Sequence, residues 1–262
     1  MFLSIRQHFQ EVFRYRSLVS SLILRELKAR YRGSVLGFLW TFLNPLLLLG
    51  VYALVFNVYF RIQMEHYAGF MFTGLLPWIW FSSSLIEGTN AITSGGSLIT
   101  KVLFPGQLLP LVKVGSNLMN FLLSLPILFV FLGVMSIFPD WNLCLLPLML
   151  LIHFAFISGL VLSLATLNVF LRDIQHILAN LLTLWFFLTP ILYPLSQVPG
   201  SFKKFVLLNP AALFTLGYQD IFFYRRSTDL WHLIPSLILS VFMLGLGIVL
   251  FEHYKETLAE KL

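Results

Sequence analysis

Residues 35–60 contain no charged side chain, and that one stretch limits what the chain can fold into more than any other feature. Sixteen of these residues are Leu, Val or Phe. At about −0.3 to −0.6 kcal/mol each near the centre of a membrane helix, they outweigh the cost of Asn44, Pro45 and Asn57 by several kcal/mol. The stretch exceeds the roughly 20 residues needed to cross a bilayer as a helix. Only 11% of the whole chain is charged and 58% is hydrophobic, against about a quarter charged in an ordinary soluble domain. A soluble fold cannot cover its surface with so few charges, and a disordered chain would not be so apolar. The apolar runs are continuous instead of alternating over about ten residues, so the spans are helices and not barrel strands. The chain is therefore expected to be an all-α polytopic membrane protein, organised as one transmembrane domain over residues 1–262.

Six transmembrane helices are expected, at residues 35–60, 66–86, 114–138, 141–171, 174–193 and 230–251. The segment 205–224 is long enough to cross but carries Asn209-Pro210, Gly217, Gln219 and Asp220. It reads as short re-entrant or interfacial helices, since broken backbone at membrane depth must pack on protein or line a water-filled cavity. With six spans, twelve of the seventeen Lys and Arg fall on one side, which the positive-inside rule makes cytoplasmic. Counting 205–224 as a seventh span gives the same ratio. Charge alone thus leaves the C-terminus open, and the polarity of 205–224 favours six spans, both ends inside and a cytoplasmic tail at 252–262. The N-terminal MFLSIRQHFQEVFRYR lacks the apolar core and cleavage site of a signal peptide, and is expected to stay with the mature chain.

Within residues 1–32, Leu18, Leu22, Ile23 and Leu27 recur at helical spacing, while Arg25, Lys28, Arg30 and Arg32 take other positions. This pattern predicts a basic amphipathic helix on the cytoplasmic surface, either a lipid-facing anchor or a docking site for a partner. Gly33-Ser34-Val35-Leu36-Gly37 follows, a GxxxG at the mouth of the first span, where a tight bend fits better than a dimer seam. In the loop at 94–106, Ser97 can cap a short helix whose apolar face holds Leu98, Ile99, Val102, Leu103 and Phe104, with Pro105-Gly106 ending it. Such a helix either lies on lipid or projects as a peg into a cytoplasmic partner.

No acid or base suited to a proton relay lies deep in a span, which disfavours a proton-coupled carrier. His153 is the exception, and it reads as a hydrogen-bonding partner for a neighbouring helix. There is no HExxH, no GxSxG and no GxxxxGK[ST] phosphate loop, so neither catalysis nor ATP binding is expected of this chain. Cys144 stands alone, which excludes a disulfide framework and a Cys-based metal site. No nucleic-acid partner is expected. The remaining signal is aromatic: 16% of the chain is Phe, Trp or Tyr, much of it inside the spans. Pore-facing rings would offer stacking surfaces to sugars without demanding one hydroxyl pattern. Trp40, Asn44, Tyr52, Phe56, Trp185, Phe187 and Tyr193 are the candidate channel-lining residues.

Five blocks in order carry a resemblance over nearly the whole chain. They are Leu22-Ile23-Leu24-Arg25-Glu26-Leu27-Lys28-Ala29-Arg30-Tyr31-Arg32-Gly33-Ser34-Val35-Leu36-Gly37-Phe38-Leu39-Trp40 with Leu43-Asn44-Pro45-Leu46; Leu98-Ile99-Thr100-Lys101-Val102-Leu103-Phe104-Pro105 with Leu109-Pro110; Phe170-Leu171-Arg172-Asp173-Ile174; Thr189-Pro190-Ile191-Leu192-Tyr193-Pro194; and Leu208-Asn209-Pro210. Together they resemble ABC-2 type polysaccharide export permeases. The resemblance implies a homodimer of twelve spans in the bacterial inner membrane, working with two copies of a separate ABC ATPase that binds ATP and Mg. It implies export of a lipid-linked polysaccharide, O-antigen first, with teichoic acid, capsule or another lipid-linked substrate as alternatives and a membrane-embedded transferase further behind. It also implies that Ser97, Leu98, Ile99, Lys101 and Phe104, with Arg172 and Asp173, couple to the ATPase. Arg25, Lys28, Arg30, Arg32, Gly33 and Gly37 would then form the interface helix and its hinge, and periplasmic re-entrant helices would occupy 195–224.

Overall fold

The computed structural model describes residues 10–11, 13–30, 32–59, 61, 64–95, 105–228 and 230–261. Every regular element among them is helical. Helix α1 (Arg16–Arg30) precedes a bend and a short 3-10 turn, Gly37–Leu39, that leads into α2 (Trp40–Ala53) and a π turn, Leu54–Tyr59. Helices α3 (Tyr67–Thr89), the single turn α4 (Ala91–Ser94), α5 (Leu108–Val134), α6 (Leu146–Phe170) and α7 (Ile174–Leu188) follow. Two short helices, α8 (Gly200–Leu208) and α9 (Pro210–Gln219), and a π turn, Asp220–Tyr224, lead to α10 (Leu230–Lys261).

Five helical stretches are long and apolar enough to cross a membrane: Gly37–Phe56, Tyr67–Thr89, Leu108–Val134, Trp141–Phe170 and His232–Leu258. Helix α7 is shorter, with 15 residues, or about 22 Å at 1.5 Å per residue. It stops where Thr189 turns extended just before Pro190, as the restriction on a residue preceding proline requires. The expected fifth span, 174–193, therefore contains a helix over Ile174–Leu188 and a non-helical C-terminal end.

Helix α3 is the hub. It touches α2, α5, α6, α7 and α9, and 78% of its apolar window is buried, against 17% for the Gly37–Phe56 stretch. It is also the least hydropathic of the five stretches and His232–Leu258 the most. That inversion suits a membrane protein, in which apolar residues face lipid at no cost and close packing selects the interior. Helices α6 and α10 make the most extensive helix pair. Their backbones meet at Gly159 and Gly247, where an added Cβ would collide with the opposing main chain. Helix α9 is buried at every position from Ala211 to Gln219, consistent with broken helices packed against protein.

Candidate functional site

At one end of the bundle, polar side chains tie α1 to the core. Arg30 Nη2 donates to both carboxylate oxygens of Glu87, at 2.7 and 2.6 Å, and Nη1 donates to Asn117 Oδ1 at 3.1 Å. Asn117 Nδ2 donates to Glu87 Oε2 at 3.1 Å and closes the triangle. Glu26 pairs with Lys113, and Glu11 accepts from Gln107 and lies 3.9 Å from Lys255. Both described acids of the N-terminal segment thus turn inward, whereas Arg14, Arg16, Arg25 and Lys28 are exposed. The segregation follows from helical phase: Val19, Leu22, Ile23, Glu26 and Leu27 are the partly buried positions of α1, and Ile23 lies over Gly115 of α5. Glu87 lies on the last turns of α3 and Lys113 and Asn117 on the first turns of α5. The clasp therefore grips the two helices that flank the 94–106 loop.

Above the clasp, a polar cavity of about 120 Å³ opens between α2, α3 and α5, lined by Arg30, Trp40, Asn44, Ser83, Asn117 and Asn120, among others. Both amide atoms of Asn120 are buried there without a hydrogen-bond partner. Next to it, a groove of about 430 Å³ runs between α2, α3 and α7, and Tyr52, Trp78, Ser82, Ser83, Thr183 and Phe187 give it an aromatic and hydroxyl lining. Ile79 and Ser83 line both spaces. Phe186 organises the groove by stacking on Tyr52 at 5.3 Å between ring centroids and packing on Trp78 at 5.6 Å.

At the other end, Asn209 is the keystone. Its side-chain oxygen caps α9 by accepting from Ala211 N at 3.0 Å and also accepts from Trp185 Nε1 at 2.6 Å. Its Nδ2 donates to Leu188 O and Thr189 Oγ1, each at 3.2 Å. The segment after α7 is held by Tyr67 Oη donating to Leu192 O at 2.7 Å and Gln219 Nε2 donating to Pro190 O at 2.8 Å. His153 stacks on Phe214 at 4.3 Å and lies 3.3 Å from Tyr218 Oη of α9, the neighbouring-helix partner expected for a lone intramembrane histidine.

The candidate residues fall into separate places. Tyr52 and Phe187 share the aromatic groove; Trp40 and Asn44 line the polar cavity. Phe56 is half-buried against the core. Trp185 spends its indole N–H on Asn209 and sets its ring edge-on to Phe81 at 5.3 Å, so it anchors α9 to α7. Tyr193 donates to Phe187 O at 3.3 Å. Gly33 and Gly37 have φ of +83° and +47° with nothing within 4 Å of an added Cβ, the signature of a bend. Arg25, Lys28 and Arg32 are exposed and Arg30 is clasped; Arg172 and Asp173 form the exposed turn between α6 and α7. Ser97, Leu98, Ile99, Lys101 and Phe104 lie outside the described residues. Glu87, Asn117, Trp78 and Asn209 carry much of the geometry without having been singled out for these roles from the sequence. The only usable signal was Asn209 directly before Pro210, the pattern of an N-cap followed by proline.

Among the described residues no group of three or more His, Cys, Asp or Glu could hold a metal ion. What the fold provides is a polytopic helical bundle whose polar and aromatic surfaces line spaces between helices, the class of a membrane transport domain. The chain belongs to the ABC-2 type transporter family, which it matches over residues 17–223. It is 46% identical to the O-antigen export system permease protein RfbA of Myxococcus xanthus, over 97% of this chain and 98% of that protein. It is 32% identical to the protein of the same name from Klebsiella pneumoniae, over 90% and 91% of the two chains. The polysialic acid transport protein KpsM of Escherichia coli is 24% identical over 73% and 76%.

Proposed function

We propose that this chain is the permease subunit of an ATP-driven exporter of lipid-linked polysaccharide, with O-antigen as the cargo. The observation that carries the reading is the groove between α2, α3 and α7. It sets Tyr52, Trp78 and Phe187 beside the hydroxyls of Ser82, Ser83 and Thr183. Sugar rings stack their C–H faces on aromatic planes and exchange hydrogen bonds with hydroxyls, so such a wall tolerates successive residues of a polymer sliding past. The near full-length likeness to O-antigen permeases supports this cargo; the more distant likeness to a polysialic acid transporter supports capsule as the second choice.

The apolar flanks of α2 and α7 leave Leu47, Val51, Leu54, Ile177, Leu184 and Leu188 exposed on either side of the groove. Two copies meeting along these flanks would turn two grooves into one conduit. The assembly is a homodimer in the bacterial inner membrane, with six spans per chain counting α7, both termini in the cytoplasm and α8–α9 re-entrant at the outer face. Two copies of an ABC ATPase bind ATP and Mg and dock on Ser97, Leu98, Ile99, Lys101 and Phe104, beside Arg172 and Asp173. Motion of that loop reaches its two stems, and the Glu87–Arg30–Asn117 and Glu26–Lys113 contacts carry it to α1. The bend at Gly33 and Gly37 then passes it to α2, which opens the conduit from the cytoplasmic leaflet.

The test is complementation. In cells lacking this chain, the wild type restores surface polysaccharide, and the Tyr52→Ala/Trp78→Ala double variant is expected to cut it at least tenfold while still co-purifying with the ATPase. Unchanged export by that variant would remove the groove from the pathway. Leu98→Asp is expected to abolish co-purification of the ATPase, and a stable complex would overturn the docking assignment.

A further inference from the structure

An apolar slot of about 470 Å³ lies between α1, α5 and α6. Its walls include Ser20, Ile23 and Leu24 of α1, Leu111 and Met119 of α5, and Phe154 of α6. Phe154 lies sixteen residues before the end of α6 at Phe170, roughly 24 Å along the helix. The slot thus connects the level of α1 with the apolar depth of the bundle. Two slot residues, Ser20 and Leu24, belong to one i, i+4 row of α1, and that row continues to Arg16 on one side and Lys28 on the other.

The charges around the slot are one-sided. Glu11 and Glu26 are committed inward to Gln107, Lys255 and Lys113. Arg16 and Lys28 are exposed and form no ion pair among the described residues. Arg16 lies over the Phe13 ring at 4.5 Å and is exposed. An apolar channel edged by exposed cations, with the nearby acids already paired to Lys113, Gln107 and Lys255, matches a molecule with a hydrocarbon tail and an anionic head.

We infer that this slot is a binding site for an anionic phospholipid of the bilayer, its acyl chain between α1, α5 and α6 and its phosphate held by Arg16, which shares a helix face with Ser20 and Ile23, with Lys28 at the far end of the row. The slot shares the inward face of α1 with the clasp, since Ile23 lies three residues from Glu26 and seven from Arg30, so a bound lipid braces α1 beside those contacts. The inference rests on the chain being a membrane permease with α1 in the cytoplasmic leaflet, but not on which polymer it carries.

The test uses the full-length permease with its ATPase, reconstituted in nanodiscs of mixed phosphatidylglycerol and phosphatidylcholine, re-extracted, and analysed for retained lipid by native mass spectrometry. Wild type is expected to keep phosphatidylglycerol in preference to phosphatidylcholine. Each surface cation contributes about a fivefold preference for anionic lipid, so Arg16→Gln is expected to lower retention about fivefold. Ser20→Trp, which fills the slot and leaves the cations in place, is expected to lose the same lipid, while Val130→Trp at an exposed site on α5 keeps it. Equal retention in all four proteins would overturn the site. Retention of a polyprenyl phosphate from the cells in place of phospholipid would equally overturn it. A permease that keeps phosphatidylglycerol selectively but exports no polysaccharide would leave the lipid site standing and remove the cargo assignment.

Discussion

Arg30 illustrates how one side chain changes meaning once its neighbours are known. In the sequence it is one cation among several on a basic helix; in the structure it is the member of that set that bonds Glu87 and Asn117. The Arg30 and Glu87 side chains are about a quarter to a third exposed, so water screens part of the Coulomb energy, and a pair of charge-assisted hydrogen bonds here contributes about 1–2 kcal/mol. Arg30→Gln and Glu87→Gln are each expected to lower the thermal midpoint of the detergent-solubilised complex and to uncouple ATP hydrolysis from export. A double-mutant cycle in the same assays is expected to show a coupling of about 1–2 kcal/mol, and additive effects would mean that the two residues act separately. Asn209 carries a second prediction. Asn209→Ala removes a helix cap and the acceptor for Trp185 together and is expected to cost about 1–3 kcal/mol in thermal unfolding. Asn209→Asp, which keeps the capping acceptor, is expected to cost less. Such long-range partners were illegible in a single sequence because nothing local marks Glu87 and Asn117 as neighbours of Arg30. Trp185 shows the same limit: aromatic content marked it as a channel candidate, but helical phase decides whether a ring faces a passage or an anchoring amide.

The elements themselves were far more legible. Charge-free runs placed the apolar helices because hydrocarbon admits few other solutions, and the amides and proline of 205–224 marked the broken pair α8–α9. Boundaries were less legible. Helix α5 starts at Leu108, before the expected 114, because Lys113 pairs with Glu26 and is accommodated inside the helix. Helix α10 continues through the charged tail to Lys261, since charged residues of good helix propensity extend a helix beyond the hydrocarbon. The bend between α1 and α2 depends on two glycines in left-handed backbone, where a β-carbon costs about 1–2 kcal/mol. Gly37→Val is expected to leave the size-exclusion profile of the purified permease unchanged and reduce export severalfold, measured as surface polysaccharide per permease. Wild-type export would separate the bend from the transport cycle. Where α6 and α10 meet, Gly159→Leu is expected to prevent formation of a monodisperse complex by size exclusion, because the opposing backbone at Met243 leaves no room for a side chain.

For the whole molecule, the distribution of polarity and burial argues for a driven conduit. The hub helix α3 is buried on nearly all sides, whereas α2 and α7 expose apolar flanks beside an aromatic and hydroxyl groove. Polar contacts concentrate at the two ends of the bundle, in the clasp at one end and the Asn209 cap at the other. The first suits coupling to a motor and the second suits holding an outlet. Disulfide crosslinking tests the pairing of flanks: in a Cys144→Ser background, Val51→Cys or Leu184→Cys is expected to trap a dimer in native membranes, and Val130→Cys on α5 is not. The most direct measurement is translocation itself, with the purified permease and its ABC ATPase in proteoliposomes loaded with a lipid-linked O-antigen. The account predicts ATP-dependent movement of the glycan to the opposite leaflet, abolished without the ATPase and strongly reduced by Tyr52→Ala/Trp78→Ala. Movement at the same rate without ATP, or no movement by an intact complex that hydrolyses ATP, would contradict it.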